Sequence, residues 1–432
     1  MTIEQTLTDK PLRVRDVFVP GGFPQYTYQK REKHDVEGQL VSALDRVNKF
    51  IAVAGPTKSG KTVLVRRMVP KGASVWVEGG HISSVQDVWN AILADLSMPV
   101  SVVESQLHQA EDAYTLEVTT GFKPVGIGAD IKNLDSTKTS NSTGTAATYG
   151  TAGPKAATNA LMFHEKVLVI DDFHYLDEGI QTSLIRALKP AVFDGLRVVL
   201  LLIPHRMHQA AQAEMDVDGR THTIYIPDWQ GDELFSIAES GFKALNIKCH
   251  AQTTNALINE CFGSPHLMQD FCSTLCSACK IQEQYLGTAP IPIVAIPQPT
   301  DSFFKGFAKS ISPETFKALR RGPERTNRKE RAMSAGGTCD TYEAVLLALH
   351  ELGGATPVDW SALRRALQTV LAEVPQQHEV TRALEKMDEI AKERKGEPVI
   401  DYMKNQGELH LVDPFFRYYL KWNTAILDDS KP

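Results

Sequence analysis

Eight residues, Gly55-Pro56-Thr57-Lys58-Ser59-Gly60-Lys61-Thr62, have the types and spacing to hold phosphate. They match GxxxxGK[ST] in full. Gly55 and Gly60 let the backbone wrap closely, so that successive N–H groups point inward. A helix starting near Gly60 adds its positive N-terminal end. Lys61 reaches the outer phosphates of a nucleoside triphosphate, and the Thr62 hydroxyl is a ligand for Mg²⁺. Residues 55–62 and the following Val63 are therefore the predicted nucleotide contacts, with ATP and Mg²⁺ as the predicted cofactors.

Such a loop needs a carboxylate at the end of a second buried strand. Val167-Leu168-Val169-Ile170-Asp171-Asp172 supplies one. Asp171 is expected to hold the Mg²⁺ with Thr62, and Asp172 to position and deprotonate an attacking water. Lys61 joins Asp172 as a catalytic candidate. A third is Arg206, at the end of the apolar run 197–203, where a polar residue could sense the γ-phosphate. His205 is its substitute.

These residues need rigid elements to position them. Apolar runs at 50–54, 74–78, 166–170, 197–203 and 223–226 read as strands buried on both faces of a parallel sheet, and helical patterns alternate with them. The fold class predicted is α/β: a P-loop NTPase parallel sheet with a helical lid and a C-terminal winged-helix-like domain. An N-terminal arm covers residues 1–30, the ATPase core 31–227 and the lid 228–300. A basic linker follows at 301–340, then the C-terminal domain at 341–432. Within the core, 106–160 reads as an insertion: a hairpin over 114–132, then a Ser/Thr/Gly/Ala tract over 136–158 with little to bury. The C-terminal domain carries three helical patterns (341–352, 360–371, 380–393) and two short strands (399–402, 409–412), the order of a winged helix.

The 432 residues allow two to three domains and a large core without staples. A net charge of -6 excludes a wholly electrostatic nucleic-acid binder. The basic stretch 317–331, with Arg320, Arg321, Arg325, Arg328 and Lys329, and the C-terminal domain are where nucleic acid could bind. No secretory signal opens the chain, and its longest apolar run, 198–203, is too short to span a bilayer. The expectation is a cytoplasmic protein, away from membranes, with reduced thiols.

Together these motifs resemble the AAA+ superfamily and, within it, the STAND and origin-recognition-like ATPases. The likeness rests on the P-loop, Asp171-Asp172-Phe173-His174, the sensor-like Pro204-His205-Arg206, and Gly263-Ser264-Pro265, similar to the GxP motif of the STAND lid. It also rests on Thr27-Tyr28-Gln29-Lys30-Arg31-Glu32, similar to the arm that contacts adenine. The resemblance implies that Arg31, Pro265 and His266 contact the nucleotide. It further implies a nucleotide-driven switch that couples to a homo-oligomer or a protein effector. Such switches act in initiator loading, transposition targeting, transcription control and antiphage defence. The sequence departs from the pattern in three places: Asp172 replaces the common Glu, His266 stands where a sensor arginine is usual, and no arginine finger is assignable among Arg186, Arg197 and Arg220.

Other signals carry less. Cys261, Cys272, Cys276 and Cys279 lack zinc-finger or ribbon spacing and read as lid-core thiols. No HExxH pair or guanine-specific NKxD sequence occurs. The aromatic run 413–420 reads as a terminal helix sealing a core.

Overall fold

The computed structural model describes residues 10–97, 153–203, 219, 221–311, 313–323, 329–394 and 398–423. After a short helix α1 (Val14–Val17) and α2 (Val36–Asp45), the chain alternates strands and helices. These are β1 (Phe50–Ala54), α3 (Lys61–Met68), β2 (Ser74–Glu78), α4 (Val85–Asp95), α5 (Pro154–Phe163), β3 (Val167–Asp171), α6 (Glu178–Phe193), β4 (Val198–Leu202) and β5 (Thr221–Tyr225). The strands form one all-parallel sheet in the order β2-β3-β4-β1-β5.

Every residue of β1, β3 and β4 is buried, as near-continuous apolar strands require when both faces are covered. The two-residue period divides them cleanly. Phe50, Ala52, Leu168, Ile170, Val198 and Leu200 pack against α4, α5 and α6. Ile51, Val53, Val167, Val169, Val199 and Leu201 face α2 and α3. The loops after β1 and β3 emerge at the carboxyl edge of the sheet, where open α/β folds bind ligands.

Three strands of the sheet differ at their ends from the sequence expectation, β4 being one residue shorter at each end. β3 runs one residue further, so Asp171 is itself the last strand residue. β5 begins two residues earlier, because at this sheet edge only Ile224 is buried and the apolar signal is weak. The end of the tract expected to bury little is helical from Pro154: Ala157 enters the core, followed by Ala160 and Leu161, and the two alanines admit α5 closely against its neighbours. The hairpin expected over 114–132 lies outside the described residues.

The lid comprises α7 (Gly231–Ala244), α8 (Ala251–Asn259) and α9 (Pro265–Ala278). Its core takes in Val17 and Phe18 of the N-terminal arm. The segment expected as a basic linker contains two helices. α10 (Thr300–Ala308) puts Phe304 and Phe307 into the lid core, whereas α11 (Glu314–Arg321) gives Phe316 and Leu319 to the C-terminal core. The strongly amphipathic sequence of α11 explains this: its apolar stripe is buried while Lys317 and Arg321 stay at the surface. Arg320 pairs with Glu343 at 2.6 Å.

The C-terminal unit has α12 (Thr341–Glu351), α13 (Trp360–Val370) and α14 (Gln377–Glu393), then an antiparallel hairpin of β6 (Ile400–Met403) and β7 (Glu408–Leu411). Asp340 and Asp359 cap α12 and α13 by accepting backbone N–H bonds. The last helix, α15 (Pro414–Trp422), seals two cores at once: Tyr419 and Leu420 in the C-terminal unit, Tyr418 in the lid.

Candidate active site

The loop between β1 and α3 is shaped by its two glycines for different reasons. A Cβ on Gly55 would lie 2.7 Å from the Ile226 carbonyl oxygen. Gly60 has φ +94°, a left-handed backbone that side chains disfavour, immediately before α3 begins. Lys61, only 6 % exposed, folds back across the loop and donates from Nζ to the carbonyls of Gly55 (3.0 Å) and Pro56 (2.6 Å). The Thr57 and Ser59 hydroxyls are buried with no hydrogen-bond partner. Orphaned donors beside a ring of backbone N–H groups fit a polyanionic ligand, because unmet buried polar groups are costly.

Thr62 Oγ1 donates to Asp171 Oδ2 at 2.9 Å, bringing two hard oxygen ligands together across the loop. Asp171 Oδ1 also accepts the Asp172 N–H at 3.0 Å. Burial raises the Asp171 carboxyl above its usual range, opposed by the bonds from Thr62 and Asp172 and by the charge of Lys61. Asp172 is pushed up to about 6, first by burial and then by the adjacent Asp171 charge. A carboxyl poised there can both accept and release a proton near neutrality. The Thr62–Asp171 pair fits Mg²⁺, which favours oxygen ligands and keeps several of its waters.

Lys58 to Leu64, Arg66 and Asp172 line a cavity of about 360 Å³, and Asp171 bonds the Thr62 of that wall. The rest of the lining comes from three parts of the chain: the arm (Val19, Thr27, Tyr28 among others), the sheet edge (Ile226) and the lid (Trp229, Ile237, Pro265, Gln269). Arg31 also lines the cavity, but its guanidinium is committed elsewhere. It pairs with both Glu233 oxygens at 2.8 Å, donates to the Pro227 and Asp228 carbonyls (2.7 and 3.0 Å), and lies over the Trp229 ring. Trp229 Nε1 in turn donates to the Ser59 carbonyl at 2.8 Å. Arg31 thus ties the arm to the lid, and Trp229 ties the lid to the phosphate loop.

Pro265 and His266 open α9 and face the same cavity, with Ser264 capping the helix. Burial, reinforced by the charge of Lys58, lowers His266 to about 4, so it is neutral at pH 7. Arg206 and His205 lie outside the described residues, as does Arg220. Arg186 and Arg197 are exposed, and Arg197 precedes β4, at the opposite edge of the sheet from the loop. Cys261, Cys272 and Cys276 sit in the lid core, where burial pushes their thiols up. The sequence reading did not single out Trp229 or Gln269. A tryptophan at the sheet-to-lid junction was a signal for the first; Gln269, one turn beyond Pro265, left none.

No protein-family model matches this chain, and no curated protein does. Solved structures do. A Walker-type ATPase of Pyrococcus abyssi superposes with TM-score 0.50 and 14 % identity, over 92 % of this chain and 99 % of that one. The chain shares the P-loop fold of that Walker-type ATPase. The ORC2 protein of Aeropyrum pernix, solved as ADPNP–ADP complexes, also matches (14 % identity, TM-score 0.47, 97 % and 98 % covered). So does Cdc6p of Pyrobaculum aerophilum (12 % identity, TM-score 0.42, 97 % and 100 % covered).

Proposed function

We propose that the protein binds ATP and hydrolyses it with Mg²⁺, and that its nucleotide state sets the arrangement of arm, lid and C-terminal unit. The observation that carries this reading is that Lys61, Thr62 and Asp172 line a single cavity while Asp171 is hydrogen-bonded to that Thr62. Lys61 and the loop amides bind the β- and γ-phosphates. Thr62 and Asp171 hold Mg²⁺, which supplies charge neutralisation across those phosphates. Asp172 orients a water and accepts its proton. Asp is shorter than the Glu common in related enzymes, which fits slow turnover. Arg206 is the proposed γ-phosphate sensor.

The cavity is walled by the arm and the lid as well as by the phosphate loop, which supports a switch rather than a rigid catalyst. A homo-oligomer, with a neighbour's arginine completing the site, or a protein effector is the proposed partner, as in STAND regulators, including those of antiphage defence. No helix among the described residues is long and apolar enough to cross a membrane, and a cytoplasmic location is part of the proposal.

A second reading, a DNA-binding ATPase that loads or targets other factors, draws on the winged-helix-like order of the C-terminal unit and on Arg321 and Lys317 at the surface. It is the weaker one. Arg320 is paired, and the third helix of the unit, α14, carries more acids than bases, with Glu379, Glu385 and Asp388 each matched to a cation. Turnover measured with and without double-stranded DNA separates the two. Rates indifferent to DNA support the switch; strong stimulation, lost on charge reversal of Arg320 and Arg321, overturns it in favour of the loader.

A further inference from the structure

Lys58 occupies the phosphate loop in a conformation that does not suit a lysine. Its φ is +55°, where a side chain is disfavoured and glycine is free. A residue held in such a region points to a role when the surroundings over-determine it. The surroundings here are the start of α15, 355 residues further along the chain. The Lys58 ammonium is ion-paired with the Asp413 carboxylate and lies 4.3 Å from the centre of the Phe415 ring.

Asp413 serves two partners with its two oxygens. Oδ1 caps α15 by accepting the N–H groups of Phe415 (2.6 Å) and Phe416 (2.9 Å), while Oδ2 takes Lys58. The Phe415 ring packs edge-on against His266 at 4.9 Å, beside the cavity. Other residues of α15 are tied to the lid and to α10. Tyr418 donates to the Phe304 carbonyl at 2.9 Å, Lys421 and Trp422 bond the Glu260 carboxylate at 2.8 and 2.6 Å, and Arg417 lies over Phe262. Movement of the lid and α15 is therefore felt at Lys58, and Lys58 itself lines the nucleotide cavity.

We propose that Asp413 and Phe415 are positioning residues of the nucleotide site. They form a latch that turns the Lys58 ammonium away from the phosphates and lowers nucleotide affinity until it opens. The inference rests on the ATP-binding reading above and adds its regulation. Phosphates in the loop and the Asp413 carboxylate compete for one ammonium, which sits on a stem long enough to serve either. Occupancy of the loop therefore weakens the tie between the loop and the start of α15. The same exchange run backwards makes any partner that pulls α15 from the loop tighten nucleotide binding, as linkage requires.

The test is a double-mutant cycle on the full chain. Asp413→Asn keeps the helix cap, for which Asn is as good as Asp, and removes the charge; Lys58→Met keeps the stem. Two readouts are taken: affinity for a fluorescent ATP analogue, and thermal unfolding without nucleotide. The latch predicts that Asp413→Asn tightens ATP binding about fivefold in the wild-type background, the scale of one part-exposed ion pair. It predicts no tightening in the Lys58→Met background. It also predicts non-additive unfolding midpoints without nucleotide, becoming additive once ATP saturates. Equal effects of Asp413→Asn in both backgrounds, or additive midpoints without nucleotide, overturn the latch. Non-additive midpoints together with no ATP binding by the wild type overturn the ATP reading, and the switch with it, while leaving the contact in place.

Discussion

Asp172→Asn should stabilise the protein at neutral pH while stopping its chemistry. Held near pH 6 instead of its ordinary 3.8, the carboxyl disfavours its charged form by about 3 kcal/mol. Because Asp172 is only part-buried, solvent screening cuts this to about 1–2 kcal/mol. The folded-state value is raised, so the folded protein binds the proton more tightly than the unfolded chain. The penalty is absent below pH 4, grows as pH climbs toward 6, and is complete at pH 7 and above. Asn removes the charge with little change in volume, and it tolerates the left-handed backbone at this position, φ +53°. In thermal unfolding without nucleotide or Mg²⁺, the Asn variant should melt about 2–8 °C higher at pH 8, for a domain of this size. The two proteins should converge near pH 4. Wild-type ATP turnover should fall as pH drops through 6, where the base takes up its proton. A variant that melts lower than wild type at pH 8, or at an equal offset at every pH, would refute the assignment of Asp172 as a strained, poised carboxylate.

Three further outcomes are expected. Arg31→Met should weaken ATP binding at least tenfold, since removing one partner from a buried ion pair costs roughly 3–5 kcal/mol and here frees the arm from the lid; unchanged affinity would show that the arm docks without it. Thr62→Val should raise the Mg²⁺ concentration needed for half-maximal turnover several-fold and spare Mg²⁺-free nucleotide binding, as removal of a metal ligand does; a titration in Mg²⁺ decides. In the native protein a thiol reagent should label the part-exposed Cys249 and Cys279 before the buried Cys261, Cys272 and Cys276, because a buried thiol is held protonated and unreactive; peptide mapping after brief alkylation reads the order.

The loop-and-aspartate half of the candidate site was legible in the sequence as structure because it is local. Residues 55–62 bring their own loop and helix, and Asp171 ends a fully buried strand whose other residues are all apolar. β1, β3 and β4 were legible for the same reason, and the three-helix-and-hairpin order of the C-terminal unit followed from helical and alternating periods. β5 was displaced because an edge strand with one buried residue has little pattern to read. The start of α5 was hidden by composition: Ala157 and Ala160 belong to a close-packed helix, yet look in sequence like the polar tract before them. Nothing in the sequence pairs Arg31 with Glu233 or Lys58 with Asp413, 202 and 355 residues apart. Such contacts arise only when separate domains fold against one another. Arg31 therefore read as a nucleotide contact, whereas its guanidinium is engaged by Glu233 and two carbonyls.

The central claim is that the loop and the two aspartates form one ATP-hydrolysing centre. Its most direct test is ATP binding by calorimetry and phosphate release, measured on the same preparations of wild type, Lys61→Ala and Asp172→Asn. The account predicts Mg²⁺-dependent release by the wild type. It predicts binding weakened by about 1.5–3 kcal/mol or more in Lys61→Ala, which loses a charge-assisted phosphate contact. Asp172→Asn should keep wild-type affinity with turnover at least a hundredfold lower, the lower range for losing a general base. ATP bound equally well by wild type and Lys61→Ala, or phosphate release unchanged in Asp172→Asn, would contradict it.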